Sequence, residues 1–210
     1  MNASRYFADT SAWTANFNPV EYRNAGGLII AHKCTEGTNY VNPKHRGWSL
    51  AAGLHHIAVI HYHFARPDVG DGPIAEAQHF LAWALPLAGP HDYLVLDVER
   101  ATPHGWSHDP EWSREFDRYV CDHSRFKTIL YANRSTLGQW EGWLWNDARR
   151  VWDASYSSEP DYAPPGYTCV FRQLSDGLAG PFPHTVPGVG QCDVNTMSPS
   201  MFDTVRHAMA

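Results

Sequence analysis

Two carboxylates close an apolar run near the middle of the chain. Residues 93–99 have the aliphatic and β-branched composition of a buried strand, and they end in Asp97 and Glu99. Side chains two positions apart on a strand point to the same side, so both carboxylates are expected in one space. Two close carboxylates resist ionising together, which raises the pKa of one and leaves the other charged. A protonated acid beside a carboxylate is what glycoside hydrolysis requires, whereas a strand end that meets only water or an arginine is the structural alternative.

Strand and helix signals alternate through the first two thirds of the chain. Apolar, β-prone runs predict strands over residues 5–9, 28–33, 57–64, 93–99 and 128–132. A helix signal follows each strand, either as a capping residue with proline or as an apolar face with helical spacing. The predicted helices run from Asn18-Pro19 to Gly26, over residues 44–52, from Pro73 to Gly89, from Asp109-Pro110 through Val120, and from Ser135 towards Trp145.

The pattern changes after residue 150. Residues 151–155, 169–174 and 193–194 predict three short strands, and the Pro-, Gly- and Ser-rich connections between them lack helical periodicity. Five strand–helix units followed by three bare strands give enough strands to close an α/β, TIM-like barrel of the (β/α)5(β)3 type. No repeat, low-complexity tract or linker divides the sequence, so residues 1–210 are expected to form a single domain.

Acidic residues stand where such a barrel carries its active site, at the C-terminal ends of its strands. Asp9 ends the first predicted strand, Glu36 follows the second, Asp97 and Glu99 end the fourth, and Asp193 belongs to the eighth. Because strands one and eight are neighbours in a closed barrel, Asp9 and Asp193 are expected to face Asp97 and Glu99 across the mouth. The structural alternatives are a turn cap for Asp9, a barrel-closing hydrogen bond for Asp193 and an ion pair for Glu36.

Composition narrows the classes of partner. A hydrophobic content of 43% with 18% charged residues is typical of a globular domain. The net charge of −6 argues against nucleic-acid phosphates and anionic membrane surfaces as partners. Recognition is therefore expected to use shape and stacking. Trp13, Trp106 and Trp140 lie in loops or near helix ends and could stack on sugars, although packing is the commoner role for each.

Localisation and assembly are expected to be simple. No run approaches the ~20 apolar residues of a membrane span. The first residues lack the apolar core of a signal peptide, so the protein is expected to be cytosolic or to be released by another route. We expect a monomer without metal or cofactor. The four cysteines have no CxxC spacing and are interpreted as small buried hydrophobes, with one bridge left open: Cys34, Cys121, Cys169 and Cys192.

Five short motifs follow one another along nearly the whole chain. They are Phe7-Ala8-Asp9-Thr10-Ser11, Lys33-Cys34-Thr35-Glu36-Gly37-Thr38-Asn39-Tyr40, Tyr62-His63-Phe64-Ala65-Arg66, Leu96-Asp97-Val98-Glu99 and Asp193-Val194-Asn195. Each motif alone is weak, but in this order they resemble the Chalaropsis-type lysozymes, glycoside hydrolase family 25. The resemblance implies the same barrel and N-acetylmuramidase activity, which cleaves the β-1,4 bond between N-acetylmuramic acid and N-acetylglucosamine in peptidoglycan. Bacterial peptidoglycan is thus the expected partner.

The resemblance also implies roles for individual residues. Glu99 matches the proton donor of the family and Asp97 its partner two residues earlier. Asp9 and Asp193 match two further acids that line the pocket, and Tyr62 matches an aromatic residue close to the reacting sugar. Further substrate contacts are expected from Glu36, Arg66, Tyr131, Trp152 and Gln173.

Two mechanisms stay open at this point. After Glu99 protonates the glycosidic oxygen, the 2-acetamido carbonyl of the substrate could attack the anomeric carbon with help from Asp97. Alternatively, a carboxylate could activate water directly and invert the configuration. One departure from the family pattern is Arg172, which stands before Gln173 where many members carry tryptophan, so the local sugar contact is expected to differ.

The sequence also contains features of three other classes of protein. His61 and His63, with two more histidines nearby, suggest a zinc-dependent wall amidase, but both should face away from Tyr62 and towards the helices. A chitinase-like barrel would require a glycine and an aspartate where Tyr93 and Val95 stand. A non-catalytic wall-binding module is the third alternative, and the presence of all four acids argues against it. A wall hydrolase without a signal peptide is expected to be a phage endolysin or a product of non-classical export.

Overall fold

Eight strands close a barrel in the computed structural model, which describes residues 3–99, 110–139 and 146–210. Each barrel strand pairs with its neighbours in the chain, and the first strand also pairs with the last. A two-residue strand, Tyr40–Val41, pairs antiparallel with the last residues of the second strand. In chain order the barrel strands are β1 (Tyr6–Thr10), β2 (Ile29–Glu36), β3 (Ala58–Phe64), β4 (Tyr93–Asp97), β5 (Thr128–Asn133), β6 (Arg150–Ala154), β7 (Thr168–Ser175) and β8 (Asp193–Met197).

Strand direction differs at the closing strand. Strands β1 to β7 are parallel neighbours, whereas β8 is antiparallel to both β7 and β1. The link from β7 to β8 leaves and re-enters the barrel at the same end, so it needs no crossover helix. Asp193 is therefore the first residue of its strand, not a residue at the C-terminal end as expected, and it still reaches the mouth.

Helices follow the first five strands, as the sequence predicted. The first helix begins where Asn18 accepts a hydrogen bond from the backbone of Glu21 (3.2 Å). The predicted cap at Asp109 and the extension towards Trp145 lie outside the described residues. The helices are α1 (Pro19–Asn24), α2 (His45–Leu54), α3 (Pro73–Ala84), α4 (Pro110–His123), α5 (Arg134–Gly138) and α6 (Pro199–Ala208).

Alternation along each strand divides the core into an inner and an outer layer. On β4, Val95 belongs to the cluster inside the barrel, whereas Leu94 and Leu96 pack against α3 and α4. The same alternation points Asp97 inwards and brings Glu99, two residues later, to the same cleft. The lower end of the barrel is closed by α6, whose Met201 and Val205 join the inner cluster. The sequence analysis did not predict α6 or the short hairpin formed by Thr185–Val186 and Gly190–Gln191.

The structure also shows the state of the cysteines and the character of the helices. All four cysteines are free; Cys34 and Cys192 are buried, and Cys121 and Cys169 are partly buried. None of the helices in the described part of the chain is long and apolar enough to cross a membrane.

Candidate active site

The mouth of the barrel holds a cleft of about 500 Å³. It collects the site residues that the sequence predicted, with the exception of Arg66. The predicted residues that line it are Asp9, Glu36, Tyr62, Asp97, Glu99, Tyr131, Trp152, Gln173 and Asp193.

The acids reach the cleft from opposite sides of the barrel. Asp9 on β1 and Asp193 on β8 are cross-strand partners in the antiparallel register. Asp97 ends β4, which lies across the closed barrel from both, and Glu99 follows it. Asp97 is buried, while the side chain of Glu99 is exposed at the mouth. The arrangement predicted from the sequence is thus present, with a buried and an open carboxyl side by side.

Burial changes the proton affinity of three of these acids. It raises the pKa of Asp97 well above 3.8, and the negative charge of Glu99 adds to the increase. Burial and the charge of Asp9 raise the pKa of Asp193 to about 8. Burial also raises the pKa of Asp9, but only to about 6, because hydrogen bonds from Gln173 and Asn195 limit the increase. At pH 7 the cleft therefore holds protonated and ionised carboxyl groups together, the combination that acid-catalysed glycosidic cleavage needs.

The side-chain amide of Gln173 connects the two sides of the cleft. Its Nε2 donates to Asp9 Oδ2 (2.8 Å) and to Asp193 Oδ2 (3.2 Å). Its Oε1 accepts from the hydroxyl groups of Tyr131 (2.8 Å) and Tyr156 (2.9 Å). All its hydrogen-bonding positions are used within the protein, so Gln173 acts here as a support for the acids, in addition to lining the cleft.

Asn195 supports Asp9 and was missed in the sequence analysis. Its Oδ1 accepts from the indole of Trp152 (3.0 Å), which fixes the amide orientation, and its Nδ2 donates to Asp9 Oδ2 (3.3 Å). The signal was present in the sequence, because Asn195 stands two residues after Asp193 on the same strand and must share its face.

Glu36 lies at one edge of the cleft and is held by two cations. Its carboxylate accepts hydrogen bonds from Lys33 Nζ (2.6 Å) and from Arg66 (2.8 Å). The guanidinium of Arg66 also donates to Asp68 (2.8 Å). Burial alone would raise the pKa of Glu36, but these hydrogen bonds and charges outweigh it and lower the pKa below 4.5. The structural role weighed for Glu36 is therefore present, although it also lines the cleft. Arg66 lies behind it, and a direct sugar contact from Arg66 stays a prediction.

Aromatic side chains form the walls and floor of the cleft. Trp152 is almost fully buried and Tyr62 is tied down by its hydrogen bond to the carbonyl of Thr10 (3.1 Å). Trp13, in contrast, is 95% exposed and lines the rim, as does the partly exposed Tyr40. An indole that is almost wholly in solvent has no packing role, so the stacking function weighed for Trp13 is favoured. Trp106 and Trp140 lie outside the described residues.

Arg172 points away from the cleft. On β7 it alternates with Gln173, and it donates to the carbonyl oxygens of Ser155 (3.2 Å), Ser157 and Glu159 (2.5 Å). It thus fixes the loop after β6, which carries Tyr156. Arg172 is not among the residues that line the cleft.

The histidines on β3 face the helices, as predicted. His61 contacts His45 (2.8 Å), and His63 contacts Glu76 (2.8 Å). Within the described ranges, no group of three or more His, Cys, Asp or Glu side chains is arranged to hold a metal ion. These histidines therefore give the zinc amidase alternative no support.

Comparisons with known proteins agree with this geometry. A family model described as glycosyl hydrolases family 25 matches residues 8–177. An N,O-diacetylmuramidase from Chalaropsis sp. is 32% identical over 143 residues, which cover 60% of this chain and 65%, slightly under two thirds, of that enzyme. A bacterial lysozyme from Streptomyces coelicolor has the same fold, with a TM-score of 0.77, 23% identity and 100% coverage of both chains. A muramidase from Trichobolus zukalii gives a TM-score of 0.74 at 21% identity, covering 98% of this chain and 99% of that one.

Proposed function

Because this chain belongs to glycosyl hydrolase family 25, we propose that it cleaves the β-1,4 bond between N-acetylmuramic acid and N-acetylglucosamine in peptidoglycan. The observation that carries the proposal is the convergence of Asp9, Asp97, Glu99 and Asp193 in one cleft with aromatic walls. The name of the Chalaropsis relative, a muramidase, supports this choice of bond.

Glu99 is the proposed general acid. Its side chain is exposed at the mouth, where a sugar chain can reach it, and its Oε1 lies 2.9 Å from the hydroxyl of Tyr131. Asp9, which is ionised at pH 7, supplies a negative charge to the cleft, and this favours the positive charge that develops at the anomeric carbon as the bond breaks.

Asp97 is the proposed partner of the substrate acetamido group. Its Oδ1 is buried and, among the described residues, has no hydrogen-bond partner, so a polar group of the substrate can satisfy it. An acetamido N–H held there would aim the carbonyl oxygen at the anomeric carbon. This form of substrate assistance predicts retention of configuration. Proton NMR of the first product would therefore show the β-anomer, whereas the α-anomer would contradict it.

The bond that is cut can be identified from the new reducing ends. Purified peptidoglycan would be digested, reduced with borohydride and analysed by mass spectrometry. We expect reduced muramic acid at the new ends. Reduced glucosamine, or free amino groups from cut peptides, would contradict the proposal, and a cut peptide would also revive the amidase alternative.

We further propose that the protein works as a monomer, without a membrane or nucleic-acid partner, and reaches the wall after release at phage lysis or by non-classical export. The net charge of −6 supports the absence of polyanionic partners. Light scattering should give the mass of one chain. Fractionation of producing cells before and after lysis should show the protein moving from the cytoplasm to the wall, and a wall-bound pool before lysis would favour export.

A further inference from the structure

The hydroxyl of Tyr131 lies between two acceptors. It is 2.9 Å from Glu99 Oε1 and 2.8 Å from Gln173 Oε1. Both distances fit a hydrogen bond, yet a phenol carries a single hydrogen and can donate it to one of them at a time. The two acceptors therefore compete for this hydrogen.

Gln173 can release that hydrogen without leaving a buried oxygen unpaired. The hydroxyl of Tyr156 donates to the same Oε1 (2.9 Å), and the Nε2 of the amide is held by Asp9 and Asp193. The amide therefore keeps its position and one donor when Tyr131 turns away. Such a second donor matters because Gln173 is 3% exposed, and an unsatisfied group there would be costly.

Which of the two acceptors is the stronger depends on whether Glu99 is protonated. An ionised carboxylate accepts more strongly than an amide oxygen, and a protonated carboxyl group more weakly. We propose that Tyr131 is a positioning residue whose hydroxyl hydrogen turns from Gln173 to Glu99 as Glu99 gives its proton to the substrate. This inference rests on the proposed role of Glu99 as general acid. The proton that reaches the glycosidic oxygen comes from Glu99 alone, and the O–H bond of Tyr131 stays intact.

Tyr131 is suited to this role because it keeps its hydrogen. Burial, followed by the charge of Glu99, raises the pKa of Tyr131 well above 10. Among the described residues, Tyr131 is the one whose side chain donates a hydrogen bond to Glu99. Several titratable groups face the cleft, and among them the ionised Asp9 repels a charge on Glu99, so a donor that strengthens as this charge forms favours the transition state. These groups are Asp9, Lys33, Glu36, Tyr40, Tyr62, Asp97, Tyr156 and Asp193.

The test compares Tyr131→Phe with Tyr156→Phe as a matched control. Both variants lose one phenol hydroxyl on Gln173 Oε1, but only the first loses the contact with Glu99. Phenylalanine keeps the ring of residue 131 against Trp152, with ring centroids 5.1 Å apart, so the fold should persist. The readouts are the pH dependence of kcat and the titration of the Glu99 13Cδ resonance, assigned by its absence in Glu99→Gln.

In Tyr131→Phe we expect the basic limb of the rate profile and the NMR midpoint to rise by about half a unit to one unit. We expect kcat to fall about three- to tenfold, with little change in KM. Tyr156→Phe should move the midpoint in the same direction by less than half as much, because Tyr131 is then drawn towards Gln173. An unmoved midpoint in Tyr131→Phe would overturn the inference, and so would an equal shift in both variants. Since the NMR titration needs no substrate, it tests the inference even if the proposed cleavage fails.

Discussion

Strand β3 separates two kinds of titratable environment with neighbouring residues. Tyr62 points into the cleft, while His61 and His63 on either side of it point outwards to the helices. On the outer side, His63 is held by Thr35 (2.8 Å) and Glu76 (2.8 Å), and both it and Glu76 are fully buried. On the inner side, the acids repel one another and remain open to a ligand.

The contrast concerns what each group contributes. The outer groups are paired and sealed, so their loss should cost stability and leave the chemistry intact. The inner acids are held in a protonation state that favours reaction at a cost in stability, as functional sites often are. On this strand, His61 and His63, two positions apart, both contribute to stability, whereas Tyr62 between them faces the reaction site.

The largest effect on activity among the inner supporting residues is expected from Asp97→Asn. Asparagine cannot become negatively charged to stabilise the cation that forms when the acetamido group attacks, so kcat should fall roughly 10²- to 10³-fold. The melting temperature should not fall, because burial already favours the neutral form of Asp97. A destabilised variant with normal turnover per folded molecule would reverse the assignment.

His63→Ala tests the outer side. It removes one member of a buried pair and the ring stacked on Phe116 at 5.1 Å, so the free energy of unfolding should fall by about 3–5 kcal/mol. Urea denaturation would measure this. Turnover per folded molecule should be unchanged, and His91→Ala at an exposed position should be neutral in both assays. If His63→Ala kept its stability but lost activity, the separation of the two faces would fail.

Asp193→Asn should stabilise the protein in a pH-dependent way. An acid whose folded pKa is raised to about 8 binds its proton more tightly when folded, so wild-type stability is lost as the pH rises from about 4 to 8. Asparagine removes that loss, and the gain should reach about 5 kcal/mol at pH 8 and become small near pH 4. The stability contributed by His63 depends on pH in the opposite direction. Burial lowers the pKa of His63, so the stability that its neutral form provides is lost as the pH falls below 6.5. Asp147→Asn, at an exposed side chain, is the control. A gain that is constant with pH would contradict the pKa of Asp193.

Trp13→Ala should give the smallest change. Loss of a stacking surface at the rim should raise KM about three- to tenfold. The effect on kcat should be small, because the indole is proposed to bind the sugar chain and takes no part in proton transfer. Phe182→Ala, at a residue that is 83% exposed but does not line the cleft, provides the comparison. Equal effects of the two substitutions would remove the argument for stacking.

Alternation and strand ends explain how much of this site could be predicted. The barrel and the inward acids followed from apolar runs that end in carboxylates. The direction of β8 did not, because a bare strand carries no helix to fix its crossover, and Asp193 was placed at the wrong end of its strand. Helix α6 was missed although Ser198 and Pro199 form a regular start, with Ser198 accepting from the backbone of Met201 (3.3 Å). Gln173 and Arg66 are each oriented in part by a residue far away in the sequence, Asp9 for Gln173 and Glu36 for Arg66, which no local pattern reveals.

Glu99→Gln provides the most direct test of the central assignment. Muramic acid reducing ends would be counted after digestion of peptidoglycan by equal amounts of folded wild-type and variant protein. We expect the variant to lose roughly 10²- to 10⁴-fold in rate, with a melting temperature close to that of the wild type because the side chain is exposed. Release of muramic acid ends by Glu99→Gln at the wild-type rate would contradict the assignment of Glu99 as the acid.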